Sequence, residues 1–340
     1  MKKDYIESEA KKSNIIKQSI KNLRNRFFSP VLISIHNSES DITNQINSIK
    51  KELNQQIESC KSDVLAIKDI IEHNAFLTKK DSSTHPYLYQ DAVTTNRTLK
   101  DKIRKNDVID YEHILEQNYS KLIKPGDTVI DIGAHVGRHL SVFLYLVGDE
   151  GQVLAIEPLK SKYEELYKKF DQPNVRILNS ALSCSSGEMV FFENEDYPEE
   201  SGLKKRIYQK SDGNVLERKV NVTTLDEISR EIDRLDYLKL DAEGAEIDIL
   251  NGGIESINRY KPIISVEYGY SSYSVYGLDR SSLYDMARKM NYFVTDVYGN
   301  IIYTSDMWNE LCDSLYWDYF LVPEKKLNFF LINMHVHKQN

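Results

Sequence analysis

Acidic side chains follow three short apolar runs in the sequence after residue 125. Asp131 lies near the end of the run 128–132, Glu157 follows the run 152–156, and Asp241 follows the run 237–240. Ligands bind at the carboxyl ends of the strands in open α/β sheets. These three carboxylates are therefore candidates to bind a ligand or to move a proton.

The turn after the first run predicts a cofactor site. Gly133 allows the chain to turn tightly beneath a ligand, and Gly137 allows the next helix to pack close to the strand. His135 stands where a dinucleotide-binding turn has its second glycine, which leaves less room for a pyrophosphate. The Asp131 carboxylate suits an ammonium group better than a phosphate, although it could also be a turn-forming aspartate.

The second run ends in Glu157 and Pro158, where an acidic side chain can accept hydrogen bonds from both hydroxyls of a ribose. Glu157 could instead stabilise the amino terminus of the following helix. An aminoacyl group together with a ribose indicates S-adenosylmethionine. The predicted cofactor-binding residues are listed here: Asp131, Gly133, Ala134, His135, Gly137, Glu157, Pro158, Ser180, Ala181 and Asp241.

The elements that must position these residues alternate between strand and helix after Gly126. The order predicts five parallel strands and a final antiparallel hairpin, which is a doubly wound sheet. The first 125 residues contain no glycine, so we expect helix and linker there. The predicted segments are a basic amphipathic helix (1–36), a coiled coil (37–78), a linker or lid (79–106), the catalytic domain (107–325) and a tail (326–340).

The run 239–246 reads Lys-Leu-Asp-Ala-Glu-Gly-Ala-Glu and completes a set of motifs. The chain resembles the FkbM family of S-adenosylmethionine-dependent methyltransferases over residues 110–323. The resemblance rests on the D-x-E-G-x-E motif from Asp241 to Glu246, the turn from Asp131 to Gly137, the Glu157-Pro158 pair and the Pro262 to Glu267 motif. It implies a class I, Rossmann-like methyltransferase fold, with a mostly parallel seven-stranded sheet whose last strand is antiparallel. It also implies O-methylation of sugar or polyketide hydroxyls.

Methyl transfer to oxygen needs a hydroxyl held in line with the donor and a group that takes its proton. We expect Asp241, Glu243 and Glu267 to be catalytic, with Asp241 facing the methionyl part of the cofactor. Asp241 and Glu267 could also share a hydrated Mg²⁺, but we predict no metal site.

Five further residues are predicted to bind the acceptor. Tyrosine offers an aromatic face and a hydroxyl, which suit a sugar ring, although such a loop can equally be partly buried. Glu246 could instead stabilise the first turn of its helix, and His139 could be a packed histidine. The predicted acceptor-binding residues are listed here: Tyr268, Tyr270, Tyr273, Glu246 and His139.

Composition and charge limit the partners of the chain. The net charge of −8 gives no general attraction for nucleic acid, but residues 1–36 carry eight basic and three acidic side chains. This basic segment could contact a membrane surface or a glycan-synthesis complex, or simply pack on its own partner. Apolar residues at heptad spacing between 42 and 71 predict a homo-oligomer, unless that helix folds back on the domain. Three widely spaced cysteines, and the lack of an apolar run of membrane length, favour the cytoplasm, with possible peripheral contact at the inner membrane face.

The leading hypothesis is therefore an O-methyltransferase that acts on a hydroxyl of a glycan, such as a surface polysaccharide or its precursor. One alternative is a methyltransferase of a polyketide or other small-molecule hydroxyl. Another is a coiled-coil scaffold that retains the fold without catalysis. A nicotinamide oxidoreductase is disfavoured by His135.

Overall fold

A computed structural model describes residues 48–51, 54, 92–104, 109–205 and 214–335. The chain divides into two units, residues 1–86 and 87–340. In the first unit, residues 48–51 and 54 are helical. The predicted basic segment and most of the predicted coiled coil lie outside the described residues.

The second unit alternates strands and helices along the chain. The strands are β1 (Thr128–Ile132), β2 (Gln152–Ile156), β3 (Val175–Leu178), β4 (Ala181–Leu182), β5 (Gly187–Asn194), β6 (Val215–Thr223), β7 (Tyr237–Leu240), β8 (Ile263–Glu267), β9 (Tyr292–Asp296), β10 (Ile301–Ile302) and β11 (Asp318–Pro323). The α-helices are α1 (Ala92–Arg104), α2 (Tyr111–Leu122), α3 (Arg138–Val147), α4 (Lys160–Lys169), α5 (Leu225–Ile228), α6 (Glu246–Asn251), α7 (Ile254–Tyr260), α8 (Tyr270–Ser274), α9 (Ser282–Lys289), α10 (Ser305–Leu311) and α11 (Leu327–His335).

The main sheet has eight strands in the order β10-β9-β11-β8-β7-β1-β2-β3. Strands β3, β2, β1, β7 and β8 run parallel, and β11 lies antiparallel between β8 and β9. The predicted class of fold is therefore confirmed. The sheet has one strand more than predicted because the two-residue β10 pairs with β9. Strands β4, β6 and β5 form a separate small sheet.

The register of the central strands places polar residues side by side in an otherwise apolar sheet. Asp131 of β1 lies beside Lys239 of β7, and Lys239 lies beside Ser265 of β8. Because partners in register project from the same face, all three side chains share one face of the sheet. Helices α2 and α3 cover this face, where the Tyr119 ring lies 4.7 Å from that of Phe143 and 5.9 Å from that of Tyr237.

Two adjacent glycines interrupt the helical stretch from Glu246 to Tyr260. This stretch forms two helices, α6 and α7, with a break at Gly252 and Gly253. A Cβ on Gly253 would lie 2.4 Å from the Leu225 side chain, and one on Gly252 would lie 2.3 Å from the Ser183 carbonyl oxygen. The two glycines allow close approach of α5 and the loop after β4, at the cost of helical continuity.

The structure also corrects both predicted ends of the catalytic domain. Helix α1 lies in the predicted linker, yet its Thr95 hydroxyl and Asn96 side chain bond Asn300 and Ser314 at 3.2 Å. Helix α11 lies in the predicted tail, yet the Phe330 ring is fully buried 5.4 Å from Phe320. Both helices pack as part of the domain.

Among the described residues, no helix is long and apolar enough to cross a bilayer.

Candidate active site

A cleft opens at the carboxyl ends of β1, β2 and β7, where the sequence predicted a ligand. It encloses about 730 Å³, including the part open to solvent. The turn after β1 and the end of β2 form one wall, and residues 241–245 form another. Ser180, Ala181 and Leu182 line the cleft as well, together with Pro198, Ser201 and Leu203 from the excursion after β5.

Glu157 ties the first turn to the end of β2. One of its carboxylate oxygens accepts a hydrogen bond from the His135 backbone N–H at 2.9 Å, and the other accepts one from Leu159 N–H at 2.8 Å. Burial raises the pKa of Glu157 to about 7, although these backbone hydrogen bonds act in the opposite direction. Glu157, Pro158 and His135, three of the predicted cofactor-binding residues, all line the cleft.

The glycines of the first turn have different roles. Gly133 lines the cleft with φ of 83°, and a Cβ there would lie 1.9 Å from the Asp241 carbonyl oxygen. Gly133 and Ala134 both donate backbone hydrogen bonds to the Ile156 carbonyl at 3.1 Å. Gly137 instead packs against α4 and the residue after it, because a Cβ would lie within 2.9 Å of Leu166 and Phe170. Ala134 and Gly137 shape the turn and do not line the cleft.

The structure corrects the predicted role of Asp131 in contacting the cofactor. Its side chain is fully buried within the sheet and does not line the cleft. Burial raises the pKa of Asp131, while the nearby Lys239 ammonium and His139 act to lower it. Asp131 therefore belongs to the charged residues buried beneath the site.

Asp241 and Glu267 form a carboxyl pair at the ends of β7 and β8. Oxygens of Asp241, Glu243 and Glu267 all lie within 4.8 Å of one another, so the three predicted catalytic carboxylates are together. Burial and the Asp241 charge raise the pKa of Glu267. Burial also acts to raise the pKa of Asp241, but Lys239 and a hydrogen bond from Glu267 hold it below its ordinary value. The shifts have opposite directions, so they favour the charge on Asp241 and the proton on Glu267.

Glu243 and Glu246 occupy one tight loop with different exposure. Glu243 lines the cleft and adopts φ of 57°, in the left-handed region that costs a non-glycine residue about 1 kcal/mol. Glu246 is only 1% exposed, and its carboxylate accepts backbone hydrogen bonds from Ala242 at 2.8 Å and Gly244 at 3.2 Å. The prediction that Glu246 binds the acceptor is therefore wrong, because this side chain holds the loop together.

His139 is likewise engaged by protein groups. Its Nε2 lies 2.9 Å from a carboxylate oxygen of Glu112, and its Nδ1 lies 3.0 Å from the Tyr119 hydroxyl. Both ring nitrogens thus have partners within the protein, and the residue is buried. The predicted contact of His139 with the acceptor is wrong, since the ring joins α2 to α3.

Two of the three predicted acceptor-binding tyrosines belong to the core. Tyr268 and Tyr273 are fully buried, with ring centroids 4.7 Å apart, and the Tyr268 ring also packs on Trp308 at 5.0 Å. Tyr270, at the start of α8, remains 41% exposed. The prediction that Tyr268 and Tyr273 bind the acceptor is therefore wrong, because both side chains belong to the core. Tyr270 remains exposed enough to contact an acceptor.

Sequence reasoning missed two residues near the carboxyl pair. Lys239 has no predicted role, yet its Nζ lies 2.8 Å from Asp241 Oδ2. Trp317 is 60% exposed and its carbonyl accepts a hydrogen bond from Tyr268 N–H, next to the end of β8. A charged residue inside an apolar strand was the available signal for Lys239. Trp317 had no such signal, because its position depends on β11 pairing between β8 and β9.

Comparison with known proteins identifies the domain. Residues 131–297 match the family model of the methyltransferase FkbM domain. The chain carries an FkbM methyltransferase domain. A curated protein-L-isoaspartate O-methyltransferase of Methanococcus aeolicus is 34% identical over 74 residues. This alignment covers 21% of the chain and 34% of that relative, so the chain spans about a third of its length.

Solved methyltransferase structures have only distant similarity to the FkbM domain and its flanking elements. The FkbM methyltransferase of Methylobacillus flagellatus KT is 14% identical with a TM-score of 0.36, over 67% of this chain and 59% of that one. A SAM-dependent O-methyltransferase of Thermotoga maritima is 14% identical with a TM-score of 0.35, over 66% of this chain and 71% of that one.

The cleft of the FkbM domain has the features that an adenosyl cofactor requires. Glu157 presents a carboxylate at the end of β2, where ribose hydroxyls can donate to it. Leu182, Phe191 and Leu203 supply apolar surface for a base. Gly133 has no side chain, and a Cβ at this position would collide with the Asp241 carbonyl oxygen. The described residues therefore fit S-adenosylmethionine.

Proposed function

We propose that this protein is an S-adenosylmethionine-dependent O-methyltransferase that acts on a hydroxyl group of a sugar or glycan. The observation that carries the proposal is the position of the Asp241 and Glu267 carboxyls beside a cleft suited to an adenosyl group. When bound, S-adenosylmethionine supplies a methyl group on a positively charged sulfur. Glu157 would bind the ribose, and the 241–245 loop would face the donor end of the cleft.

The carboxyl pair can orient and deprotonate an acceptor hydroxyl. A carboxylate at Asp241 accepts a hydrogen bond from the hydroxyl and holds it in line, which is the largest part of the catalytic task. As the oxygen takes up the methyl group its proton becomes strongly acidic, so a carboxylate suffices as the base. Protein groups already occupy both ring nitrogens of His139, which favours the carboxyl pair over His139 in this role.

Exposed aromatic rings near the pair support a sugar as the acceptor. Tyr270 follows Glu267 by three residues, and Trp317 directly precedes Asp318, which pairs with Glu267. Aromatic faces bind the apolar faces of sugar rings, and tyrosine adds a hydroxyl. We expect Trp317→Ala and Tyr270→Ala to raise KM for the acceptor severalfold with little change in cofactor affinity.

Calorimetry and a transfer assay test the proposal together. We expect binding of S-adenosylmethionine without binding of NAD, and transfer of labelled methyl from S-adenosylmethionine to glycan acceptors. Asp241→Ala should abolish transfer without unfolding the protein. Binding of neither cofactor would support a scaffold, and transfer only to polyketide hydroxyls would support the alternative acceptor.

A metal is not required in this proposal. The three carboxylates lie close enough to face one cation, but the Lys239 ammonium already contacts Asp241. We expect full transfer activity in excess chelator. Loss of activity that added Mg²⁺ restores would contradict this expectation.

A further inference from the structure

A buried lysine lies directly beneath the carboxyl pair. The Lys239 side chain is 4% exposed, and its Nζ lies 2.8 Å from Asp241 Oδ2. Burying an ammonium group is costly unless it is paired, so this contact demands an explanation. The stem of Lys239 emerges from β7 between Asp131 of β1 and Ser265 of β8.

Several elements contribute charged or titratable groups near Lys239 and its partner Asp241. Strand β1 provides Asp131, and the Lys239 ammonium acts to lower the pKa of this carboxyl. Helix α3 provides His139, which acts to lower the pKa values of both Asp131 and Asp241. Helix α2 provides Glu112, which influences Asp318 of β11. The remaining groups are listed here: Asp241, Glu243, Glu267 and Tyr237. Carboxyl groups thus outnumber cations around Lys239.

The contacts distinguish the two members of the carboxyl pair. Asp241 accepts a hydrogen bond from the Lys239 ammonium at 2.8 Å, and a carboxyl oxygen of Glu267 lies within 4.8 Å of one of Asp241. Of the pair, Asp241 is the member that contacts the lysine directly. Two adjacent carboxyls that are partly shielded from solvent ionise together only at a cost in free energy. The carboxyl next to the cation keeps the charge, and the other keeps the proton.

We propose that Lys239 is a positioning residue for methyl transfer, whose ammonium fixes Asp241 as the ionised acceptor of the hydroxyl proton while Glu267 remains protonated. The proposal rests on the proposed function. In the step, the hydroxyl oxygen bonds the methyl carbon and its proton passes to the Asp241 carboxylate. The electron pair of the broken carbon–sulfur bond stays on sulfur, and Lys239 keeps all three of its protons.

Lys239→Met removes the charge and retains most of the apolar stem, so it tests this role. We expect the acidic limb of the pH profile of kcat/KM to move up by about one pH unit, because loss of an adjacent cation raises the pKa of a carboxyl. Activity should therefore fall by about tenfold at acidic pH and recover in alkaline buffer. Lys239→Arg should retain the wild-type limb. Lys219→Met, at an exposed lysine of β6, is the matched control and should match the wild type.

A second measurement separates this proposal from the proposed function. Carbon-13 NMR of labelled aspartate, with Asp241→Asn to identify the signal, should show the apparent pKa of Asp241 rising in Lys239→Met. This titration needs no acceptor and no turnover, so it remains informative if the wild type transfers no methyl group. If Lys239→Met does not fold, Lys239→Gln replaces it in both measurements, since it also removes the charge but keeps a polar group beside Asp241. An unchanged Asp241 titration in Lys239→Met, or an equal loss of activity at every pH, would overturn the proposal.

Discussion

At the scale of single residues, Gly133 is required for two reasons: its φ is positive, and a Cβ there would collide with the Asp241 carbonyl oxygen. Gly126 has nearly the same φ, 86° against 83°, but a Cβ on Gly126 would meet nothing within 4 Å. We expect Gly126→Ala to cost about 1 kcal/mol from backbone conformation alone. Gly133→Ala should cost about 1–3 kcal/mol more, because its Cβ would collide with the Asp241 carbonyl.

Urea unfolding of the two variants checks this difference, and calorimetry with S-adenosylmethionine checks its consequence. The Gly133→Ala variant should lose cofactor affinity, while Gly126→Ala keeps it. Equal stability of the two alanine variants would show that the carbonyl of Asp241 moves aside easily.

The buried carboxyl of Glu246 makes the free energy of unfolding depend on pH. Burial raises the pKa of Glu246 from 4.5 to about 7. Between these values the unfolded chain releases the proton while the folded chain keeps it, so the free energy of unfolding falls as pH rises. The difference corresponds to roughly 3 kcal/mol. Glu246→Gln removes this loss and should gain stability relative to the wild type between pH 4.5 and 7.

Thermal unfolding at pH 5 and pH 8 measures the effect as a difference between variant and wild type. This comparison cancels Glu157 and Asp318, whose pKa values burial also raises to about 7. Glu150→Gln, at an exposed turn, is the control and should show no such trend. A Glu246→Gln variant whose relative stability does not change with pH would contradict the assignment of a buried carboxyl.

At the scale of elements, helix α11 tests where the domain ends. Phe330 is fully buried against Phe320, whereas Ile332 on the same helix is 50% exposed. Phe330→Ala should cost about 3–5 kcal/mol, and Ile332→Ala should cost much less. Urea unfolding at one pH measures both. Similar small losses would return this segment to the tail that the sequence predicted.

The sequence predicted the helices and strands of the FkbM domain well where the spacing of apolar residues and the turn residues indicated the same element. The runs that became β1, β2 and β7 are short and mostly apolar, and each has an acidic residue at or next to its carboxyl end. Helical period alone did not reveal the break at Gly252 and Gly253, because the close approach of Leu225 comes from another part of the chain. The same limit applied to Tyr268, whose ring packs on Trp308 and Tyr319, and to Tyr273, whose ring packs on Tyr268.

At the scale of the whole molecule, the chain divides into two units, residues 1–86 and residues 87–340. The buried residues of the described chain begin at Ala92. We therefore expect removal of residues 1–86 to leave the thermal unfolding midpoint of the remainder nearly unchanged. The heptad pattern predicts that the same removal converts an oligomer to a monomer.

Sedimentation of the full and shortened chains checks both expectations when combined with thermal unfolding. A full-length chain that sediments as a monomer would contradict the predicted coiled coil. A large drop in the midpoint after removal would instead show that the first unit stabilises the second.

The antiparallel strand β11 has a consequence for the synthesis of the protein. It lies between β8 and β9, although residues 318–323 are translated after both of those strands. It also brings Asp318 beside Glu267, from a position outside the matched residues 131–297. A nascent chain that has exposed only the matched residues therefore has a gap in its sheet next to the carboxyl pair. Assembly of the active site must wait until the ribosome has released β11.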